Sequence, residues 1–400
     1  MPNHRSHRPK SLYGAALAAA LLLLTSPVGA AWEMSEFVIY LWNPPQAGTP
    51  EEKAEALAAA GFTVVDWDPD QLDVLSRHGL KGMVHNATPE LAERIRSHPA
   101  LWGYHLVDEP YPESQFPPIA ERMRAIEAVD PDHPPFVNML STTGEFLRTY
   151  MRIVRPPLLS FDYYQWTWGS DRYFAKLEQF RDQAILAGVP LGSCIETTAN
   201  PAIERGDTTY VADNALKLRQ SVYTNLAYGV TMVEWFSAGR LFEPGTLELT
   251  PSGRDVAALN AELKRVGPML VGLRSIDVYH TAPLPRGTRS APQEHWVRLV
   301  GEADANGLVL GMFEDAEGAD YAMVVNRDYR RAQSVTVQLQ SKWLGIAPWH
   351  EAKTYTYDVE KLDKATSDWV TVSSTSSVGF TFVIDPADGE LFRITTNVEE

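Results

Sequence analysis

The residues best suited to chemistry are an adjacent acid pair, Asp108-Glu109, and two isolated glutamates, Glu196 and Glu234. The pair closes the stretch WGYHLVDEPYP, where an apolar-leaning run leads into the carboxylates and Pro110 then stops the strand, because proline carries no N–H to continue a ladder. Cleavage at an anomeric carbon commonly uses two carboxyl groups, one protonated to help the leaving oxygen depart and one ionised. A lone glutamate after a strand is more often a solvated loop residue or a helix cap. The chemistry therefore requires a fold that brings distant acids to one rim, as a parallel barrel does at the C-terminal ends of its strands.

The elements in the first two thirds of the chain suit that demand. Apolar strands alternate with amphipathic helices: FVIYLW, FTVVDWD, LKGMVHN, the acid-tipped stretch itself, PPFVNML, LLSFDYYQW, VPLGSCIET and GVTMVEWF are the eight strands. Thr49-Pro50-Glu51-Glu52 predicts a helix start with an N-cap, a first-turn proline and a capping-box glutamate, and Thr88-Pro89-Glu90 and Thr250-Pro251 repeat it. Eight strand and helix pairs in about 240 residues match a closed (β/α)8 barrel. In this count Glu109 ends strand four and Glu196 ends strand seven, so the two tips face each other across the mouth. Glu234, just inside strand eight, rivals Glu196 for the second role, or serves as a substrate contact or a buried ion pair.

Near Ser275 the helical period gives way to short alternating runs, HWVRLVGEA, GLVLGMFED, DYAMVVNRD, SVTVQLQ, KTYTYD, WVTVSS and FTFVID, which predict a β-sandwich. The expected layout is α/β: a signal peptide at 1–30, a (β/α)8 barrel at 31–274 and a small C-terminal all-β sandwich domain at 275–400. The leader is read from Arg5, Arg8 and Lys10 ahead of a short apolar run and the small residues Val28-Gly29-Ala30, and it implies a secreted or periplasmic protein. With Cys194 the only cysteine of 400 residues, an internal disulfide is excluded. A net charge of −16 argues against nucleic acid and anionic membranes as partners. The oligomeric state stays open.

The layout, the Glu-Pro after strand four, the glutamate after strand seven and the trailing segment with GMFEDAEGADYAMVVNRD and DGELFRI resemble clan A glycoside hydrolases, especially family 42 β-galactosidases. The resemblance implies a secreted retaining glycosidase acting on an oligo- or polysaccharide, with Glu109 as acid/base and Glu196 as nucleophile, and with no cofactor. It also implies that Tyr163 or Tyr164 bonds the nucleophile. One departure is Asp108, where the clan has asparagine. Adjacent Asp-Glu is similar instead to hexosaminidases that use substrate assistance, where Asp108 orients a 2-acetamido group and Glu109 protonates the leaving group. A catalytically inactive glycan-binding barrel is the third reading.

Aromatic residues at strand tips, Trp42, Trp67, Tyr163, Tyr164, Trp166, Trp168 and Trp235, are candidates to stack on sugar faces. Asp162 and His85 are candidates for sugar hydroxyls, on a glycan expected to be neutral or weakly charged. His85, His105 and Asp108 invite a metal reading, yet an odd step along a strand sends His105 and Asp108 to opposite faces, and no ligand spacing is recognisable. No metal is therefore expected.

Overall fold

The structure, a computed structural model, describes residues 32–140, 142–207, 209–340, 354–375 and 379–399; the leader lies outside the described residues. Eight parallel strands close into a barrel in chain order: β1 Val38–Leu41, β2 Val64–Asp66, β3 Lys81–His85, β4 Leu101–Asp108, β5 Pro135–Leu140, β6 Leu159–Asp162, β7 Leu191–Glu196 and β8 Val230–Phe236. β8 returns to pair with β1, Tyr40 standing opposite Glu234. The helices around them are α1 Pro50–Ala59, α2 Leu72–Arg77, α3 Pro89–Ile95, α4 Phe116–Val129, α5 Gly144–Ile153, the short α6 Gln165–Trp168, α7 Tyr173–Ala187, α8 Asn214–Ala227 and α9 Pro251–Val266.

Local chemistry places the helix starts. At α1 the Thr49 hydroxyl accepts from the Glu52 N–H at 3.3 Å while the Glu52 carboxylate accepts from the Thr49 N–H at 2.8 Å, the reciprocal box that the sequence predicts. Thr88 and Thr250 cap α3 and α9 through the hydroxyl, which accepts the Leu91 and Gly253 N–H groups. Strand alternation then sorts side chains into two layers. Val38, Tyr40, Trp42, Val64, Met83, Trp102, Phe136, Leu158, Cys194 and Met232 fill the barrel interior. Their alternates, such as Ile39, Val65, Val137, Phe161 and Val233, pack outward under the helices.

One strand breaks the alternation. Against β5, β4 shifts register between His105 and Val107, so that His105 stands opposite Phe136 and Asp108 opposite Asn138. Phe136 and Asn138 are two apart on one face, hence His105 and Asp108 share the interior side. The expectation that an odd step separates them is corrected here: a bulge adds one residue to the count and resets the parity.

Among the described residues beyond the barrel, nine antiparallel strands follow: β9 Arg274–His280, β10 Val297–Val300, β11 Leu308–Glu314, β12 Asp320–Asn326, β13 Gln333–Leu339, β14 Thr354–Leu362, β15 Trp369–Thr375, β16 Phe380–Ile384 and β17 Gly389–Glu399. They form a six-stranded sheet, β15-β14-β17-β12-β11-β9, and a three-stranded sheet, β10-β13-β16, around a separate core that includes Val297, Leu310, Val324, Val335 and Phe392. β9 and β17 add to the seven runs read from sequence. The seam with the barrel is tight. A side chain at Gly311 of β11 would lie 2.1 Å from the Ala227 carbonyl at the end of α8, so the two backbones touch directly. Arg219 of α8 ties Glu262 of α9 and Asp388, each at 2.7 Å.

Candidate active site

The acid pair ends β4 as the sequence predicts, and the bulge aims it inward. Asp108 is oriented by Asn138, whose Nδ2 donates to Oδ1 at 3.0 Å. The Glu109 N–H donates to the Asn138 carbonyl at 2.9 Å, and Glu109 adopts φ +44°. That left-handed conformation costs a non-glycine residue about 1–2 kcal/mol. It turns the Glu109 side chain across to β6, where its carboxyl hydrogen-bonds that of Asp162. Two carboxyl groups bond only by sharing a proton. Asp162 is 3 % exposed, and burial first, then the Glu109 contact, push its pKa up to about 9. One proton is thus stored between an exposed and a buried carboxyl at the mouth.

A polar floor supports this pair. Glu234 is fully buried and accepts from Trp42 Nε1 at 2.8 Å and from the Ser160 hydroxyl; burial pushes its pKa up to about 8 although both bonds oppose the rise. Asp66 accepts from the Tyr40 hydroxyl and from the Asn43 N–H at 2.7 Å, and it lies 2.6 Å from His85 Nε2. His85 Nδ1 is 3.1 Å from His105 Nδ1. Burial holds His105 down to about 3, so it is neutral, and its Nε2 is buried without a partner. Among the described residues no group of three or more His, Cys, Asp or Glu is arranged to hold a metal ion.

Glu196 ends β7, but its surroundings differ from those its expected role needs. It is 2 % exposed, Oε1 accepts the Trp166 N–H at 2.6 Å, and Oε2 is buried without a partner. Burial outweighs the backbone N–H groups of α6 and pushes its pKa up to about 8. At neutral pH Glu196 is therefore mostly protonated, whereas the sequence reading expects it ionised. Glu109, by contrast, is exposed. Neither tyrosine is bonded to Glu196 in the arrangement described: Tyr163 donates to the Gly169 carbonyl at 3.0 Å, and the Tyr164 hydroxyl meets Cys194 Sγ at 3.8 Å.

Of the aromatic candidates, Trp42 and Tyr164 lie on the interior side of the barrel, Tyr164 stacked on Phe236 with centroids 5.8 Å apart. Four others are corrected. Trp235 is fully buried, bonded through Nε1 to Asn260 of α9 at 2.9 Å. Trp67 donates to the Gln71 carbonyl and packs in the helix layer. Trp166 donates to the Lys217 carbonyl and the Ser221 hydroxyl of α8, its ring against Tyr329. Tyr163 faces Trp168 and Tyr173 outside the barrel interior. The cause is the two-residue period: Trp67, Tyr163 and Trp235 each follow an inward acid and so point outward. The same period would have found the residues that sequence reading missed, Asp66, Asn138 and Ser160, since each is a polar residue on the interior parity of an apolar strand. Phe236 carried no such mark.

No family model matches the chain, and no curated protein matches its sequence. Solved structures do match it in fold. A protein described as a glycoside hydrolase aligns over 90 % of this chain and 92 % of its own, at 10 % identity and a TM-score of 0.55. A family 27 β-L-arabinopyranosidase from Geobacillus stearothermophilus aligns over 90 % of this chain and 96 % of its own, at 10 % identity and a TM-score of 0.50. The chain is thus similar, barrel and β-domain together, to the scaffold of these glycoside hydrolases.

Proposed function

We propose that this protein is an exported glycoside hydrolase that cleaves an O-glycosidic bond with retention of configuration, Glu109 supplying the proton to the leaving oxygen. The observation that carries the reading is the shared proton between Glu109 and Asp162 at the C-terminal rim of the barrel. Burial and the Glu109 contact raise the Asp162 pKa to about 9, so this carboxyl pair holds a proton at neutral pH, which in the proposed reaction Glu109 passes to the leaving oxygen.

For the stabilising group at the anomeric carbon, the surroundings favour substrate assistance over attack by Glu196. Asn138 holds Asp108 Oδ1, leaving Oδ2 to accept the N–H of a 2-acetamido group. The acetamido oxygen then bonds to the anomeric carbon as Glu109 protonates the departing oxygen. Water opens the resulting ring, passing its proton to Glu109. Two inversions at one carbon give net retention. Attack by Glu196 would first require a buried, mostly neutral acid to ionise. A family 42 β-galactosidase activity, as the sequence resemblance suggested, belongs to that competing route.

The test is hydrolysis of paired aryl glycosides that differ only at carbon 2, acetamido against hydroxyl, with the product anomer followed by NMR. Faster cleavage of the acetamido member with retention is expected. Equal or faster cleavage of the hydroxyl member refutes substrate assistance. Glu109→Gln is expected to lower turnover at least about 10³-fold with sugar binding preserved; turnover by neither protein, with binding by both, would make this a glycan-binding barrel.

A further inference from the structure

Beside the mouth a cleft of about 730 Å³ is lined by Thr142, Tyr163, Trp168, Asp171, Arg172 and Lys176, among others. Rings connect it to the barrel axis: Phe236 stacks on Tyr164, Tyr164 lies 4.5 Å from Trp168, and Trp168 lies 5.6 Å from Tyr163. Trp168 is 37 % exposed and so offers part of a face. Tyr164, two residues after Asp162, thus starts a run of ring contacts that ends at Trp168 and Tyr163 in the cleft lining.

The charges in the cleft run against both the composition and the local structure. The chain carries a net charge of −16, yet Arg172 and Lys176 stand four residues apart at the start of α7, whose first turn contains no acid. Cations there oppose the helix dipole, and like charges at this spacing repel each other. Burial, and then the Arg172 charge, hold the Lys176 amine below its ordinary value. Asp171, 71 % exposed and 3.9 Å from Arg172 Nε, offsets only part of this. The Lys176 ammonium donates to the Thr142 carbonyl and, at 3.4 Å, to Gln179 Oε1, which leaves a third N–H. Thr142 Oγ1 is buried without a partner. Neither helix stability nor solubility accounts for two cations here, whereas an anionic ligand would relieve their repulsion.

We infer that this cleft is a subsite for a sugar bearing a carboxylate or sulfate group, its ring against Trp168 and its anion on Arg172 and Lys176. This narrows the substrate class for the cleavage proposed at the mouth and rests on that reading for its place in a longer glycan. It departs from the neutral or weakly charged glycan expected from sequence.

Saturation-transfer NMR on the full chain, with glucuronate, glucose 6-sulfate and glucose as probes, tests it. At least one anionic sugar is expected to bind roughly tenfold or more tightly than glucose. That preference should weaken with added salt and disappear in Arg172→Ser/Lys176→Met, with the unfolding midpoint of the variant checked against the parent. A preference for only one anion supports the inference and identifies the group. Equal binding of glucose, no binding of either anion, or an unchanged preference in the double variant overturns it. Hydrolysis of neutral aryl glycosides is read in parallel. If neither these nor aryl glycosides of the preferred anionic sugar are cleaved while the charged-sugar preference is intact, the glycosidase reading fails and the subsite stands; cleavage without the preference removes the subsite alone.

Discussion

Replacing Glu196 by glutamine separates the two catalytic routes and reports on stability at the same time. Glu196 is buried, with one oxygen on the Trp166 N–H and the other unpartnered, and its pKa rises from 4.5 to about 8. Below pH 4.5 folded and unfolded chains both carry the proton, so it affects stability little. Between 4.5 and 8 the unfolded chain releases the proton while the folded chain keeps it, and stability falls as pH rises. At 1.36 kcal/mol per pH unit the loss saturates above pH 8 at on the order of 5 kcal/mol. Glutamine has nearly the shape of the protonated acid, can still accept the Trp166 N–H, and does not titrate. The advantage of Glu196→Gln should therefore grow from near zero at pH 4.5 to a few kcal/mol at pH 8, or roughly 5–10 °C in unfolding midpoint. Glu234 titrates alike in both proteins and cancels. Calorimetric scans across this range measure the gap, and turnover of the 2-acetamido substrate should stay within about tenfold of the parent. A gap that does not change with pH refutes the assignment of a neutral Glu196. Loss of more than about 10³ in turnover with the fold intact makes Glu196 the ionised nucleophile and removes substrate assistance.

Asp162→Asn keeps a donor toward Glu109 but removes the carboxyl whose pKa stands near 9, so the pair loses the proton it holds at neutral pH. Turnover should fall by about 10²–10⁴ and its alkaline limb should move to lower pH, read from a pH–rate profile; an unmoved limb would make Asp162 structural only. Trp42→Phe takes one of the two donors from Glu234 and leaves a buried carboxyl oxygen unpaired. Urea unfolding should show a loss of about 1–3 kcal/mol, and no loss would mean that Glu234 finds another partner.

Much of the frame was legible because it rests on local patterns. Thr-Pro-Glu starts, strand-length apolar runs and terminal glycines are decided within a few residues, and they give the eight-fold alternation and the end of β4 at Asp108. The tips of β4 and β7 were legible for the same reason. The occupants of the mouth were less so. Trp67, Trp166 and Trp235 were read as sugar platforms because they stand at strand ends, yet each is bonded into the helix layer. The bulge in β4 is a pairing irregularity against a neighbouring strand, and nothing within WGYHLVDEPYP announces it. The C-terminal domain showed its alternation plainly, but β9, at the change of pattern, was absorbed into the boundary.

What the amino-acid order alone determined is therefore the scaffold and the presence of acids at strand tips, since period and punctuation are properties of short segments. What only the folded chain decided is which acids meet and which of them hold protons. Glu109, just after β4, and Asp162, at the end of β6, meet because one bulge and one left-handed residue turn them together. Glu196 is neutralised by burial beneath α6. Protonation depends on desolvation and on neighbours across the barrel, and neither quantity exists until the strands close.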